Sequence, residues 1–170
     1  AEGFVMLTGK PGTGKTTLVN ALLDDLSLAK ITVAMLMSTQ LEADDLLRMV
    51  AFSFGLNGDL SDKATIIQKL TLYLTRHCQE GRHTLLIVDE AQDLSISAME
   101  ELRLLTNLQI NNQPLLQIFL LGQEELRDLM QGPKMEQGHQ RIVAACHLEP
   151  LKEEETAAYI RHRLCKVGWD

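Results

Sequence analysis

Gly9-Lys10-Pro11-Gly12-Thr13-Gly14-Lys15-Thr16 decides the reading of this chain. The stretch fits G-x-x-x-x-G-K-[ST] at every fixed position. A polyphosphate is multiply anionic, and wrapping it in backbone N–H groups requires a tightly curled loop. Gly9, Gly12 and Gly14 permit that curl and leave no Cβ in the way. A helix that starts where the loop ends directs its free N–H groups at the same anion. Lys15 then reaches the β- and γ-phosphates of a bound nucleotide, and the Thr16 hydroxyl is set to ligate Mg²⁺. Thr17 completes the binding stretch, which runs from Gly9 through Thr17.

The flanks suit this reading. Phe4-Val5-Met6-Leu7-Thr8 is a short apolar run suited to a buried strand. Leu18, Leu22 and Leu26, with Val19 and Leu23 beside them, form a helical stripe on the other side. A glycine-rich turn with a chance lysine would need neither flank.

The 170 residues suffice for one domain with a proper core. A net charge of −7 is unlike that of a general nucleic-acid coat protein, although it leaves room for a local basic patch. There is no run of about 18 apolar residues, so no membrane span is expected. Cys78, Cys146 and Cys165 are odd in number and far apart, which suggests buried free thiols in a reducing cytoplasm. His77, His83, His139, His147 and His162 show no metal-ligand spacing. The chain starts just before an apolar strand and stops just after a helical pattern, so a piece of a longer protein is expected.

Strand and helix patterns alternate along the rest of the chain. Further strands are expected over 31–37, 84–88, 115–121 and within 141–148. Helices are expected over about 40–54, 62–78, from Ser97 as a capping residue, 124–130 and 153–167. Asn111-Asn112-Gln113-Pro114 reads as a turn. Such alternation implies a parallel sheet with helices on both faces.

Chemistry gathers at the predicted strand ends. Leu85-Leu86-Ile87-Val88 runs directly into Asp89-Glu90. A carboxylate at Asp89 can hold Mg²⁺ beside the first loop, and Glu90, one residue on, can activate a water for in-line attack on a γ-phosphate. The alternative is a solvated strand end. Gln123 closes the fourth strand; its amide can hold that water or a γ-phosphate oxygen, the alternative being a plain loop glutamine. Arg141 precedes the fifth strand. It is either an arginine that reaches a neighbouring subunit's nucleotide or an ordinary surface residue.

Taken together, FVMLTGKPGTGKTTLVN (4–20), LLIVDEAQDLS (85–95), MEELRLLTNLQ (99–109), LLQIFLLGQEELRDLM (115–130), QRIVAACHLEPL (140–151) and ETAAYIRHRL (155–164) resemble the ExeA/GspA-type secretion ATPases, AAA+ proteins of bacterial envelope assembly. STQLEADDLLRMVAFSFGL (38–56) is most similar to the secretion ATPases of exosortase and exopolysaccharide clusters. The resemblance implies a three-layer α/β/α P-loop NTPase of the AAA+ type with five parallel strands in the order 5-1-4-3-2. The core would span residues 1–150, with a truncated helical lid opening over 151–170. It also implies ATP and Mg²⁺ as ligands, Gly9–Thr17 for nucleotide, Thr16 and Asp89 for metal, and Lys15, Glu90, Gln123 and Arg141 for catalysis. Where the family carries further arginines, this chain has Glu136, His139 and Ala145. The implied partners are envelope secretion or polysaccharide-export components and further copies of the chain. The implied location is the cytoplasm, with any membrane association through segments outside this stretch. Two other readings are a DNA-linked ATPase of the transposition-regulator type and a nucleotide-dependent interaction module with little turnover.

Overall fold

A computed structural model describes residues 4–10, 15–25, 30–37, 42–131, 142–147, 158, 160 and 161. The central element is a five-stranded sheet built from β1 (Phe4–Thr8), β2 (Ile31–Met37), β3 (His83–Asp89), β6 (Gln117–Gly122) and β7 (Ile142–His147). Its order is β2-β3-β6-β1-β7, with every pair parallel. Counted over these five strands from the β7 edge, this is 5-1-4-3-2.

The middle strands are apolar along their whole length because both faces are covered. Side chains alternate between two cores. Phe4, Met6, Leu86, Val88, Ile118 and Leu120 face one side, where they meet α2 (Ala43–Ser53), α3 (Lys63–Gln79) and α4 (Ile96–Leu105). Val5, Leu7, Leu85, Ile87, Phe119 and Leu121 face the other side. There they pack with Leu18 and Val19 of α1 (Lys15–Asp25) and with Ile160. The result is a helix–sheet–helix sandwich. At the β2 edge the two faces differ: Ala34 and Leu36 are buried on the first, while on the second Ile31 packs against the core and Val33, Met35 and Met37 are exposed.

Local chemistry sets the element ends. Asp62 caps α3 by accepting from the Thr65 N–H at 2.8 Å. That helix stops at Gly81, whose φ of +76° suits glycine; Gly81 N donates to Cys78 O and Arg82 N to His77 O. The chain therefore turns straight from α3 into β3. Helix α2 ends in the same way at Gly55.

Two expectations change. The cap of α4 is Ser95, not Ser97. A short 3₁₀ turn over Ala91–Asp93 is followed by extended backbone, and Ser95 Oγ accepts from Ala98 N at 3.1 Å. Ser97 instead donates to Glu42 Oε2 across to α2, and Glu100 pairs with Arg103. The predicted turn at 111–114 is a small hairpin of β4 (Gln109–Ile110) and β5 (Gln113–Pro114). Asn111 and Asn112 form its two-residue loop at φ +52° and +65°, as a mirror-image turn requires. Helix α5 (Glu124–Gln131) follows β6 after a single residue.

Candidate functional site

The site lies at the carboxyl ends of β1, β6 and β3. Register aligns them: Thr8 pairs with Gly122, and Val88 with Leu120. The phosphate-loop stretch leaves β1 at Gly9, and Asp89 ends β3 two strands away. Two strand spacings put those backbones about 10 Å apart. The stretch is anchored to the strand between them, because Gly9 N donates to Gly122 O at 3.2 Å. This is the crevice beyond the strand ends where open parallel sheets bind ligands.

Asp89 and Glu90 differ in what holds them. The Asp89 Oδ1 atom accepts from Glu90 N at 2.9 Å, which fixes one carboxylate oxygen. Glu90 sits in the left-handed region, φ +51° and ψ +45°. A non-glycine residue there is uncommon and costs about 1–3 kcal/mol, and such residues cluster at functional sites. This bend takes the chain from β3 into the 3₁₀ turn and brings Gln92 back over the end of β6.

Gln92 holds the two sides together. Its Nε2 donates to Glu90 Oε2 at 2.5 Å, and its Oε1 accepts from Gln123 N at 3.1 Å. The amide orientation is fixed by its partners, since a backbone N–H can only donate and a carboxylate can only accept. Gly122 makes room for it: a Cβ there would lie 2.7 Å from Gln92 Oε1 and 2.9 Å from Leu126 Cδ2. The sequence reading assigned neither Gln92 nor Gly122. The available signal was the run Asp89-Glu90-Ala91-Gln92, which pairs a polar amide with the acidic pair at a fixed offset.

Among the other expected site residues, Lys10 and Thr17 are exposed, Gly9 is buried and Gln123 is half-buried. What Gln123 contributes to the described network is its backbone N–H. Lys15 and Thr16 open α1, but their side chains lie outside the description. Pro11, Gly12, Thr13, Gly14 and Arg141 lie outside the described residues, as does most of the expected lid helix. Among the described residues, no three His, Cys, Asp or Glu side chains converge as a metal cage, and no helix is long and apolar enough to cross a membrane.

A parallel sheet of this order, a glycine-rich stretch between β1 and α1 and an acidic pair closing β3 define a P-loop fold of the AAA type. The AAA domain family model matches residues 1–130, and the chain belongs to that family. Over 167 residues it is 38% identical to General secretion pathway protein A of Aeromonas hydrophila. That match takes in 98% of this chain and 30% of the relative, so the chain spans under a third of the curated protein it resembles. Solved structures share the fold at low identity. The Aeropyrum pernix ORC2 protein in its ADP form matches with a TM-score of 0.66 at 19% identity, over 96% of this chain and 47% of that one. Cdc6p from Pyrobaculum aerophilum matches with a TM-score of 0.58 at 15% identity, over 95% of this chain and 43% of that one.

Proposed function

We propose that this chain is the nucleotide-hydrolysing core of an envelope secretion ATPase, in which residues 1–150 form the core and 151–170 open the lid. One observation carries the reading. Asp89 and Glu90 end a buried strand whose neighbour, β6, is hydrogen-bonded to the first residue of the phosphate loop. Gly9 to Thr17 bind the phosphates of ATP, with the Lys15 ammonium compensating their charge. Mg²⁺ would supply positive charge to offset the charge that develops on the phosphates. Thr16 and Asp89 would hold it. One carboxylate, one hydroxyl and phosphate or water oxygens suit this cation, which keeps several waters and does not need a protein cage.

In the reaction, Glu90 takes a proton from a water while the water's oxygen bonds to the γ-phosphorus. The bond from that phosphorus to the β–γ bridging oxygen breaks, and its electron pair stays with ADP; the other product is inorganic phosphate. Gln123 orients the water or a γ-oxygen. Arg141 stabilises charge in a neighbouring copy's site, so the working form is a homo-oligomer. The likeness to General secretion pathway protein A supports a role in a secretion system, and the location we assign with it is the cytoplasm. The stretch 38–56 directs the finer reading toward exopolysaccharide export.

Steady-state ATPase assays with ATP-binding titrations test this. Lys15→Ala should abolish nucleotide binding. Glu90→Gln should keep binding and slow turnover by roughly 10²-fold or more. Undiminished hydrolysis by Glu90→Gln would remove the assignment.

A further inference from the structure

Gly122 and Gln123 share one peptide unit whose two ends serve two different parts of the site. Its carbonyl accepts from Gly9 N, at the opening of the phosphate loop. Its N–H donates to Gln92 Oε1, and the Gln92 Nε2 donates to Glu90 Oε2. Two amides in series therefore connect the phosphate loop to the carboxylate beyond β3. Every donor in this chain points the same way, from Gly9 toward the one charged group at its end. Hydrogen bonds aligned in this manner polarise one another, and a charged terminus strengthens the last of them. Gln92 has used its acceptor on one strand end and a donor on the other, so its position follows both.

We propose that Gln92 is a positioning residue for ATP hydrolysis. Its amide holds Glu90 Oε2 toward the end of β6, which leaves Oε1 as the oxygen that takes the proton from the attacking water. It also transmits the seating of the phosphate loop, through the Gly122–Gln123 peptide, to the base. The inference rests on the Glu90 role proposed above. It adds that Glu90 is aimed by a side chain on the next turn. The strained left-handed backbone at Glu90 fits this role: it directs the chain so that an amide two residues later can return to the carboxylate.

The experiment compares Gln92→Ala, Gln92→Glu and Glu90→Gln in the full chain, by kcat and KM for ATP and by amide hydrogen exchange without nucleotide. Gln92→Ala should lower kcat about tenfold, the scale on which lost supporting hydrogen bonds act at catalytic sites, with KM within about twofold of the parent. The Gln123 N–H should exchange faster, while the Gly9 N–H keeps its protection. Gln92→Glu separates the two arms when both carboxylates are ionised, at the alkaline end of the assay range, because it keeps an acceptor for Gln123 N–H but then has no proton to donate to Glu90. It should preserve Gln123 protection and still lose kcat. A purely structural glutamine predicts the opposite, with full turnover in Gln92→Glu. Parental kcat in either Gln92 variant, with Glu90→Gln slow, overturns the positioning role alone. Parental kcat in Glu90→Gln removes the base assignment and this inference with it.

Discussion

Replacing Gly122 by alanine tests the packing at the centre of the site. The glycine's φ is not in the left-handed region, so what requires glycine there is the close approach of neighbours. A Cβ would stand 2.7 Å from Gln92 Oε1 and 2.9 and 3.0 Å from two carbons of Leu126. Leu126 is fully buried, so its displacement adds an overpacking cost of about 1 kcal/mol at the low end of the usual range. Moving the amide breaks one neutral hydrogen bond, worth about 1 kcal/mol, and one to a carboxylate, worth about 2 kcal/mol. Lower chain entropy in the unfolded state returns less than about 1 kcal/mol. The net loss is about 3 kcal/mol, or roughly 6–12 °C in Tm for a chain of this length. Urea unfolding at constant m-value measures it. In a Gln92→Ala background the penalty should fall below about 1 kcal/mol, because the first obstacle is gone and only the Leu126 contact, offset by the entropy gain, remains. A loss below about 1 kcal/mol in the parent, or strict additivity in the double variant, refutes the reasoning. Gly55→Ala is the contrasting control, since nothing lies within 4 Å there and any cost comes from the +82° backbone angle.

Other outcomes follow from the same structure. Leu86→Ala, fully buried in the centre of the sheet, should cost about 2–5 kcal/mol in chemical denaturation. Arg48→Ala should cost about 1 kcal/mol and speed amide exchange across residues 55–62, because its guanidinium donates to Leu60 O and Ser61 O. Two hydrogen bonds from Thr65 hold the Asp62 carboxyl below the ordinary aspartate range. Its folded pKa is thus depressed, so its contribution is present above the unfolded value and is lost as pH falls through the folded one. The stability gap between parent and Asp62→Ala should be constant near neutrality and close under acid conditions in urea melts; a gap that widens with acidification would contradict this.

The sheet was legible because each long strand is apolar on both faces, which a sequence displays as an uninterrupted run such as Leu85–Val88. The helix–strand alternation then fixed the parallel arrangement. The small hairpin escaped notice because two residues on either side of Asn111–Asn112 are too few to show a period. The spacing of Ser97 to Glu100 fits a capping box and so points to Ser97 as the cap of α4. The 3₁₀ turn over 91–93, which moves the helix start to Ser95, has no periodic signature. The position of Asp89 and Glu90 at the end of a buried strand was legible from the apolar run before them. Gln92 was not, because its role arises only when the ends of β3 and β6, 31 residues apart along the chain at the Gln92–Gln123 bond, lie side by side.

The central position of β1 also bears on biosynthesis. Phe4 is made more than a hundred residues before its partners Ile118 and Ile142. Until those segments leave the ribosome, the opening strand has no neighbour and its apolar side chains stay uncovered. Gly9 likewise waits for the Gly122 carbonyl. Pairings this remote form slowly and expose a nascent chain to aggregation. The nucleotide cannot template its own pocket early, and a chaperone that shields β1 would have its greatest effect before β6 is translated.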